Sequence, residues 1–191
     1  MARHTLVIGG TGMLRKVSLQ LARDGWITSV MARTEARLHN LAAAASATQG
    51  IIDPIALDYR DSAALQAAIR HSIAELGPVA LVVAWIHSSI APHAARIVAE
   101  TIAASSSQPF RFFHVLGSVA ASPNSEHEQE TWIMHVRNMH YRSIVLGFVV
   151  GDDGSSRWLT DDEIAHGVRR AIEKDTDRSI IGAIEPWEKR P

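Results

Sequence analysis

Short, continuously apolar runs alternate with helical patterns along almost the whole chain. Such runs are typical of strands covered on both faces of a sheet, and the segments between them repeat apolar residues every three or four positions. The seven runs lie at residues 5–8, 26–32, 51–57, 79–86, 110–116, 144–150 and 179–183. Parallel pairing through right-handed crossovers follows from this alternation. The sequence therefore predicts an α/β protein with a three-layer, doubly wound Rossmann fold and a seven-stranded parallel sheet in the order 3-2-1-4-5-6-7.

The length of the chain supports one domain. Its 191 residues suffice for one core but not for two ordinary domains, and seven strands with six helices use nearly all of them. We expect a single domain over residues 1–191.

The fifth of the six helices is predicted at residues 124–138. Pro54 lies in the third run, and because proline cannot donate to a strand ladder, that strand is expected at or near an edge of the sheet.

Charge and cysteine content exclude several classes of function. Nineteen Lys and Arg against twenty Asp and Glu leave a formal net charge of −1, which argues against a nucleic-acid-binding protein. The absence of cysteine excludes disulfides, thiolate metal sites and cysteine nucleophiles. The ten histidines show no His-Glu-x-x-His spacing, so no metal is expected. Without an apolar run of membrane-spanning length or a signal-peptide pattern, we expect a cytoplasmic protein with no membrane partner.

A glycine-rich loop joins the first strand to the first helix. Residues 9–16 read Gly-Gly-Thr-Gly-Met-Leu-Arg-Lys. Gly9 permits a tight turn, and Gly12 lets backbone N–H groups approach a pyrophosphate at the start of the helix. A Walker A loop is excluded because no Gly-Lys-Ser/Thr follows. The simpler alternative is a glycine-rich turn that binds no ligand.

The same residues resemble the short-chain dehydrogenase/reductase superfamily. Its extended and atypical members usually read Gly-Gly-Thr-Gly-aromatic-Ile-Gly in this loop. Asp58 matches the adenine-contacting aspartate of the family, and residues 81–85 stand where the family has an Asn-Ala-Gly segment. Ser118 matches the catalytic serine at the end of the fifth strand. The order of elements agrees over about residues 3–183, which implies the family's fold and an NAD(P) cofactor.

Two departures from the family pattern affect the expected chemistry. Arg15 replaces the third glycine of the loop, and its side chain can either turn to solvent or reach a cofactor phosphate. The family's catalytic tyrosine is followed four residues later by a lysine that lowers its pKa. Neither Tyr59 nor Tyr141 has such a lysine, so the family's usual mechanism is absent. Tyr141 opens the sixth strand and is expected to be structural.

An arginine stands where an acid usually marks a cofactor without a 2′-phosphate. Arg33 ends the second strand and Arg37 follows one helical turn later. A guanidinium binds a phosphate bidentately or stacks on adenine, so we expect NADP(H) in preference to NAD(H). The alternative is that both are surface charges. The residues expected to contact the cofactor are Gly9, Gly10, Thr11, Gly12, Met13, Leu14, Arg15, Arg33, Arg37, Asp58, Tyr59, Ala84 and Trp85.

Two residues that follow central strands are candidates for catalysis. Ser118 can orient a carbonyl or hydroxyl group beside the nicotinamide, and its alternative role is that of a turn serine. His87 can donate a proton near neutral pH in place of the missing tyrosine, and its alternative role is a loop histidine bonded to the backbone. His114 lies within the fifth strand and is expected to be buried. Trp158 is either a pocket residue or simply packed.

The leading hypothesis is a compact, atypical member of the superfamily that binds NADP(H). In this hypothesis it reduces a small carbonyl compound, with hydride from the cofactor and a proton from His87 or water. The alternative is a non-catalytic, dinucleotide-binding redox sensor or scaffold, which the absent tyrosine–lysine pair favours. Residues 151–160 are too few for a separate substrate lobe, so a small or shallowly bound substrate is expected. Self-association through the fourth and fifth helices is common in the family and is a further expectation.

Overall fold

The computed structural model describes residues 3–121 and 131–191 of the chain. The described strands are β1 (Arg3–Ile8), β2 (Trp26–Ala32), β3 (Ile51–Ala56), β4 (Val79–Trp85), β5 (Phe110–Leu116), β6 (Met139–Leu146), β7 (Phe148–Val150), β8 (Ser156–Trp158) and β9 (Arg178–Ile181). The described α-helices are α1 (Arg15–Arg23), α2 (Glu35–Ser46), α3 (Ser62–Leu76), α4 (Ala94–Ser105) and α5 (Asp161–Lys174).

Seven of these strands form one parallel sheet in the order β3-β2-β1-β4-β5-β6-β9. The predicted strand order is therefore confirmed, with β9 as the seventh strand of the sheet. β3 lies at one edge, as Pro54 requires, and Pro54 stands opposite Val30 of β2. The chain reverses its direction of winding between β1 and β4, which lie side by side at the centre.

A small antiparallel pair, β7 with β8, stands outside the main sheet. The apolar run at residues 144–150 predicts a single strand there. The run is instead divided at Gly147, which is buried and closely approached by the backbone that follows β9. A Cβ at this position would collide with the carbonyl oxygen of Ala183. This close approach ends β6 and sends the chain into the hairpin.

Side-chain caps mark the starts of α3 and α5, whereas α1, α2 and α4 have no side-chain cap. The Asp61 carboxylate accepts a hydrogen bond from the Ala64 N–H at the start of α3. Thr160 and Glu163 form a capping box at the start of α5, in which each side chain accepts from the backbone N–H of the other. Of the helix predicted at residues 124–138, residues 124–130 lie outside the described residues. The part at Thr131–His135 is a short 3₁₀ helix.

Alternate residues of the central strands enter two buried apolar clusters on opposite faces of the sheet. Val7 of β1 packs with residues of α1, α2 and α5, whereas Leu6 and Ile8 pack with residues of α3 and α4. This division gives the three layers that the sequence predicts. None of the helices described is long and apolar enough to span a lipid bilayer.

Candidate functional site

The carboxyl ends of the parallel strands bring the predicted residues to one edge of the sheet. β1 leads into the glycine-rich loop, β2 into Arg33, β3 into Asp58 and β5 into Ser118. The loop lies beside β4, where the winding of the sheet reverses. Ligands of open α/β sheets bind at such a switch point, so the fold places the loop where a ligand is expected.

The first two glycines of the loop are required by the fold itself. Gly9 adopts a φ of 77°, and a Cβ there would lie 2.9 Å from the carbonyl oxygen of Trp85. Gly10 is buried, and a Cβ there would lie 2.6 Å from Ser18 Oγ and 2.7 Å from a methyl group of Val30. Any side chain at either position would push the loop away from the neighbouring strands.

Gly12 is placed differently, because its own surroundings are open. A Cβ at Gly12 would have no heavy atom within 4 Å. The Arg15 N–H donates to the Gly12 carbonyl oxygen at 2.8 Å, but the N–H groups of Thr11, Met13 and Leu14 donate to no described residue. No side chain caps the start of α1. Leu14 is fully buried, whereas Thr11 and Met13 are partly exposed. Unpaired N–H groups near a helix N-terminus attract anions, so Thr11 and Met13 fit the loop for a pyrophosphate group.

Ser18, which is not among the residues predicted from the sequence, forms hydrogen bonds that stabilise the loop. Its Oγ lies 3.1 Å from the carbonyl oxygens of both Gly10 and Leu14, so its hydroxyl proton can be donated to either. The side chain is buried in α1. The position of this serine, about one helical turn after the glycine-rich loop, is the sequence feature from which its contact with the loop could have been predicted.

Three arginines near the loop and the end of β2 carry charges that no ion pair neutralises. The side chains of Arg15, Arg33 and Arg37 are exposed, and none forms a hydrogen bond or ion pair with a residue in the described ranges. Lys16, by contrast, pairs with Asp162 of α5. The arginine that replaces the family's third glycine therefore points to solvent and not into the contact between helix and sheet.

Asp58 is held by Arg60, which is not among the residues predicted from the sequence. The Arg60 Nε donates to Asp58 Oδ2 at 2.8 Å, and the Arg60 backbone N–H donates to Oδ1 at 3.0 Å. The hydrogen bonds from Arg60, with a smaller contribution from the charge of Arg33, lower the pKa of Asp58. Next to it, Tyr59 Oη accepts from the His87 N–H at 3.5 Å. Residues after β3 and β4 therefore meet at this edge.

Trp85 lies at the centre of this edge of the sheet. Its Cδ1 lies 3.6 Å from the position of a Cβ on Gly9, and its Cη2 lies 3.7 Å from that of a Cβ on Gly117. The indole therefore reaches from the loop after β1 to the turn after β5. The exposed imidazole of His87 packs edge-on against it, with 5.3 Å between ring centroids. A ligand lying along this edge must pack on the indole.

Ser118 is bonded to a residue from the far end of the chain. Its side chain is buried, at 3% exposure, and its Oγ accepts a hydrogen bond of 2.7 Å from Arg190 Nε. The Arg190 guanidinium also lies over the rings of Trp158, at 5.1 Å, and Trp187, at 5.3 Å. No pattern in the sequence indicates this contact, because the two residues are 72 positions apart.

Tyr141 belongs to the core and not to the candidate catalytic residues. Its hydroxyl lies 3.0 Å from His114 Nδ1, and its ring packs against those of Phe112 and Trp132. His114 is buried as predicted, and burial lowers its pKa to about 4. Both aromatic residues are therefore engaged in packing between β5 and β6.

Two clefts in the described ranges lie away from these residues. One, of about 440 Å³, is lined mainly by α5 and β9, and the other, of about 270 Å³, lies mainly between α1 and α5. No residue expected to contact the cofactor lines either cleft. Within residues 3–121 and 131–191, no three His, Asp or Glu side chains are grouped as metal ligands would be.

Comparisons with known proteins agree with this architecture. The family model of short chain dehydrogenases matches residues 3–86, from β1 to the end of β4. The short-chain dehydrogenase/reductase from Serratia marcescens BCRC 10948 has a TM-score of 0.72 at 16% identity, over 93% of this chain and 95% of that one. A double variant of a Serratia marcescens short-chain dehydrogenase/reductase reaches 0.75 at 17% identity with the same coverage. No curated protein matches the sequence significantly.

The family match covers the first part of the chain, and the structural likeness covers most of it. The matched residues include the glycine-rich loop, Asp58 and Trp85 but end before Ser118. Identities of 16–17% to solved structures demonstrate a shared fold alone. The family match supports an oxidoreductase of the short-chain dehydrogenase kind, a family that binds an NAD(P) dinucleotide. Residues 3–86 therefore match the family model of short chain dehydrogenases, and the sheet has the fold of solved short-chain dehydrogenases/reductases.

Proposed function

We propose that the protein binds NADP(H) and reduces a small carbonyl compound. One observation carries the proposal: Thr11 and Met13, both partly exposed, present backbone N–H groups without a described acceptor, beside the open space at Gly12. Backbone donors at the start of a helix bind a pyrophosphate in dinucleotide-binding folds.

The two apolar clusters share a single sheet, which supports one domain over residues 1–191.

The preference for NADP(H) is supported by charge at the end of β2. Arg33 and Arg37 have no ion-pair partner among the described residues, and Arg33 acts electrostatically on Asp58. A free guanidinium is suited to the 2′-phosphate that distinguishes NADP from NAD. No acid stands at the end of β2 to bind a free ribose 2′-hydroxyl. Arg15 offers a third positive charge near the loop.

The chemistry follows from the hydrogen bonding of Ser118. When bound, the cofactor supplies the hydride for reduction of the carbonyl carbon. Because Ser118 Oγ accepts from Arg190, the hydroxyl proton of Ser118 is free to be donated to a substrate carbonyl oxygen. The proton that completes the alcohol comes from His87 or from water, since an arginine is not deprotonated at physiological pH. The exposed His87 imidazole is open to exchange protons with solvent.

Gly12→Ala tests the binding site without disturbing the fold. The added methyl group meets no protein atom within 4 Å, so the melting temperature is expected to remain unchanged. It occupies the space that a pyrophosphate needs, so the dissociation constant for NADPH, measured by protein fluorescence, should rise at least tenfold. Ala104→Val, an exposed change in α4, serves as the control. Wild-type affinity in Gly12→Ala would exclude the loop as the phosphate site.

Titration with NADPH and NADH tests the cofactor preference. Arg33→Gln and Arg37→Gln should weaken NADPH binding by about tenfold, since a hydrogen bond to a charged group contributes roughly 1.5–3 kcal/mol, and should leave NADH binding little changed. Tighter binding of NADH than of NADPH to the wild-type protein would refute the preference.

A redox sensor or scaffold is the second candidate function. The missing tyrosine–lysine pair favours it, because a sensor needs the dinucleotide site and no proton donor. Consumption of NADPH in the presence of aldehydes, ketones and quinones separates the two functions. Tight NADPH binding without turnover, and with no effect of His87→Ala or Ser118→Ala, would favour the sensor.

A further inference from the structure

The segment after β9 returns to the carboxyl edge of the sheet and contributes a cation there. Trp187–Lys189 forms one turn of 3₁₀ helix, and Arg190 follows it. The Nε of Arg190 donates to the Oγ of Ser118, a side chain that is almost fully buried. The guanidinium therefore lies at the residue that matches the family's catalytic serine.

Two aromatic rings lie next to this guanidinium. Trp158 belongs to the hairpin strand β8, and Trp187 belongs to the same final segment as Arg190. Their ring centroids lie 5.1 and 5.3 Å from the Arg190 Cζ. Cation–π contacts at this range restrain an arginine without neutralising its charge. The hairpin and the final segment together hold Arg190 against Ser118.

The remaining nitrogens of Arg190 are free to bind a ligand. Its Nη1 and Nη2 donate to no residue in the described ranges, and Arg190 forms no ion pair there. Arg157, the neighbour of Trp158, provides the contrast: its two Nη atoms lie 2.8 and 2.9 Å from the carboxylate oxygens of Glu163. Arg157 is therefore neutralised, whereas Arg190 presents an unused, bidentate edge. A carboxylate is the planar anion that fits such an edge.

We propose that Arg190 is a substrate-binding residue that selects carbonyl compounds with a carboxylate on the adjacent carbon, the 2-oxo acids. The Ser118 hydroxyl donates to the carbonyl oxygen, and the Nη edge of Arg190 binds the carboxylate. Because Nε of the same guanidinium holds Ser118, the two binding groups are neighbours, as the two functional groups are in a 2-oxo acid. This inference rests on the proposed function and names its substrate class.

The reaction balances with NADPH as the reductant. Hydride from NADPH forms the new C–H bond at the carbonyl carbon, and the electron pair of the C=O π bond moves to oxygen. A proton from His87 or water then forms the hydroxyl group. The products are a 2-hydroxy acid and NADP⁺. The positive charge of Arg190 stabilises the negative charge that develops on oxygen through the hydrogen bond to Ser118.

Binding of oxamate, an unreactive analogue of a 2-oxo acid, tests the site in the cofactor-free protein. Tryptophan fluorescence is the readout because two tryptophans flank Arg190. Arg190→Gln should weaken oxamate binding at least tenfold, and Arg190→Lys should restore part of it, since lysine keeps the charge but loses the bidentate geometry. Lys189→Gln removes the same charge from the same turn and should bind as the wild type. Methyl oxamate, which is neutral, should bind at least tenfold more weakly.

The rate of carbonyl reduction provides a second test of the proposed substrate class. With NADPH, the wild-type protein should reduce pyruvate with a higher kcat/KM than acetone. Arg190→Gln should lower the value for pyruvate at least tenfold more than the value for acetone, since acetone loses only the stabilisation that acts through Ser118. Unchanged oxamate binding in Arg190→Gln, equal binding of sulfate and oxamate, or faster turnover in Arg190→Gln would overturn the inference. Failure of NADPH to bind while oxamate binding depends on Arg190 would instead overturn the proposed cofactor function.

Discussion

Acidification should destabilise the protein through His114, which is buried between β5 and β6. Only 2% of this residue is exposed, and burial lowers its pKa to about 4 from an ordinary value of 6.5. The neutral imidazole is therefore favoured in the folded state. Between these two pH values the unfolded chain binds more protons than the folded chain, so the free energy of unfolding falls as the pH falls from 6.5 towards 4.

The magnitude follows from the two pKa values. Linkage between protonation and folding gives a loss of about 2 kcal/mol between pH 7 and pH 5 for a shift of this size. His4 adds to the loss in the same direction, because burial lowers its pKa as well. Carboxylates with lowered pKa, such as Glu163 at about 2, contribute only below their ordinary range, so the interval above pH 5 isolates the histidines.

Urea denaturation of the wild-type protein and of His114→Gln at pH 7 and pH 5 is the assay. Glutamine can retain a hydrogen bond to Tyr141, which lies 3.0 Å from the imidazole, but it does not titrate. The pH-dependent loss should be about 2 kcal/mol smaller in the variant, whatever its absolute stability. An equal loss in both proteins would refute the assignment of this pH dependence to His114.

Three further changes test how the loop and the helix ends are built. Gly10→Ala should lower the free energy of unfolding by about 1–3 kcal/mol in urea at pH 7, because the methyl group overlaps Ser18 and Val30; a stability as high as that of Gly12→Ala would contradict this. Ser18→Ala should cost about 1 kcal/mol and weaken NADPH binding, since the loop loses its brace; unchanged NADPH affinity would show that the brace does not shape the binding loop. Asp61→Ala should cost about 1 kcal/mol by removing the cap of α3, and Asp61→Asn, which can still accept the hydrogen bond, should cost much less.

The sheet was predictable because its determinants are local. Continuous apolar runs separated by helical patterns fix both the strand type and the parallel connections, and Pro54 identifies the edge strand. The start of α5 was readable from Thr160 and Glu163 for the same reason. The division of residues 144–150 was not readable, because it depends on the approach of Ala183 to Gly147, a contact between distant parts of the chain.

The residues of the candidate site also differ in whether local sequence or a distant contact determines their position. The loop residues and Ser118 follow strands directly, so their meeting at one edge follows from topology. The pairing of Arg190 with Ser118 does not, because the final segment has neither apolar periodicity nor a motif. Whether the predicted contacts bind a dinucleotide stays a prediction for the titrations above.

The position of the Trp85 indole should couple the glycine-rich loop energetically to the turn that carries Ser118. A single rigid ring touches both the surroundings of Gly9 and those of Gly117, so a displacement at one end cannot be absorbed by independent side chains. Substitutions in the phosphate loop and in the turn that carries Ser118 should therefore be non-additive, with a coupling energy that disappears in Trp85→Ala. In the proposed function, the residues that anchor the cofactor and those that orient the substrate would thus be linked through one side chain.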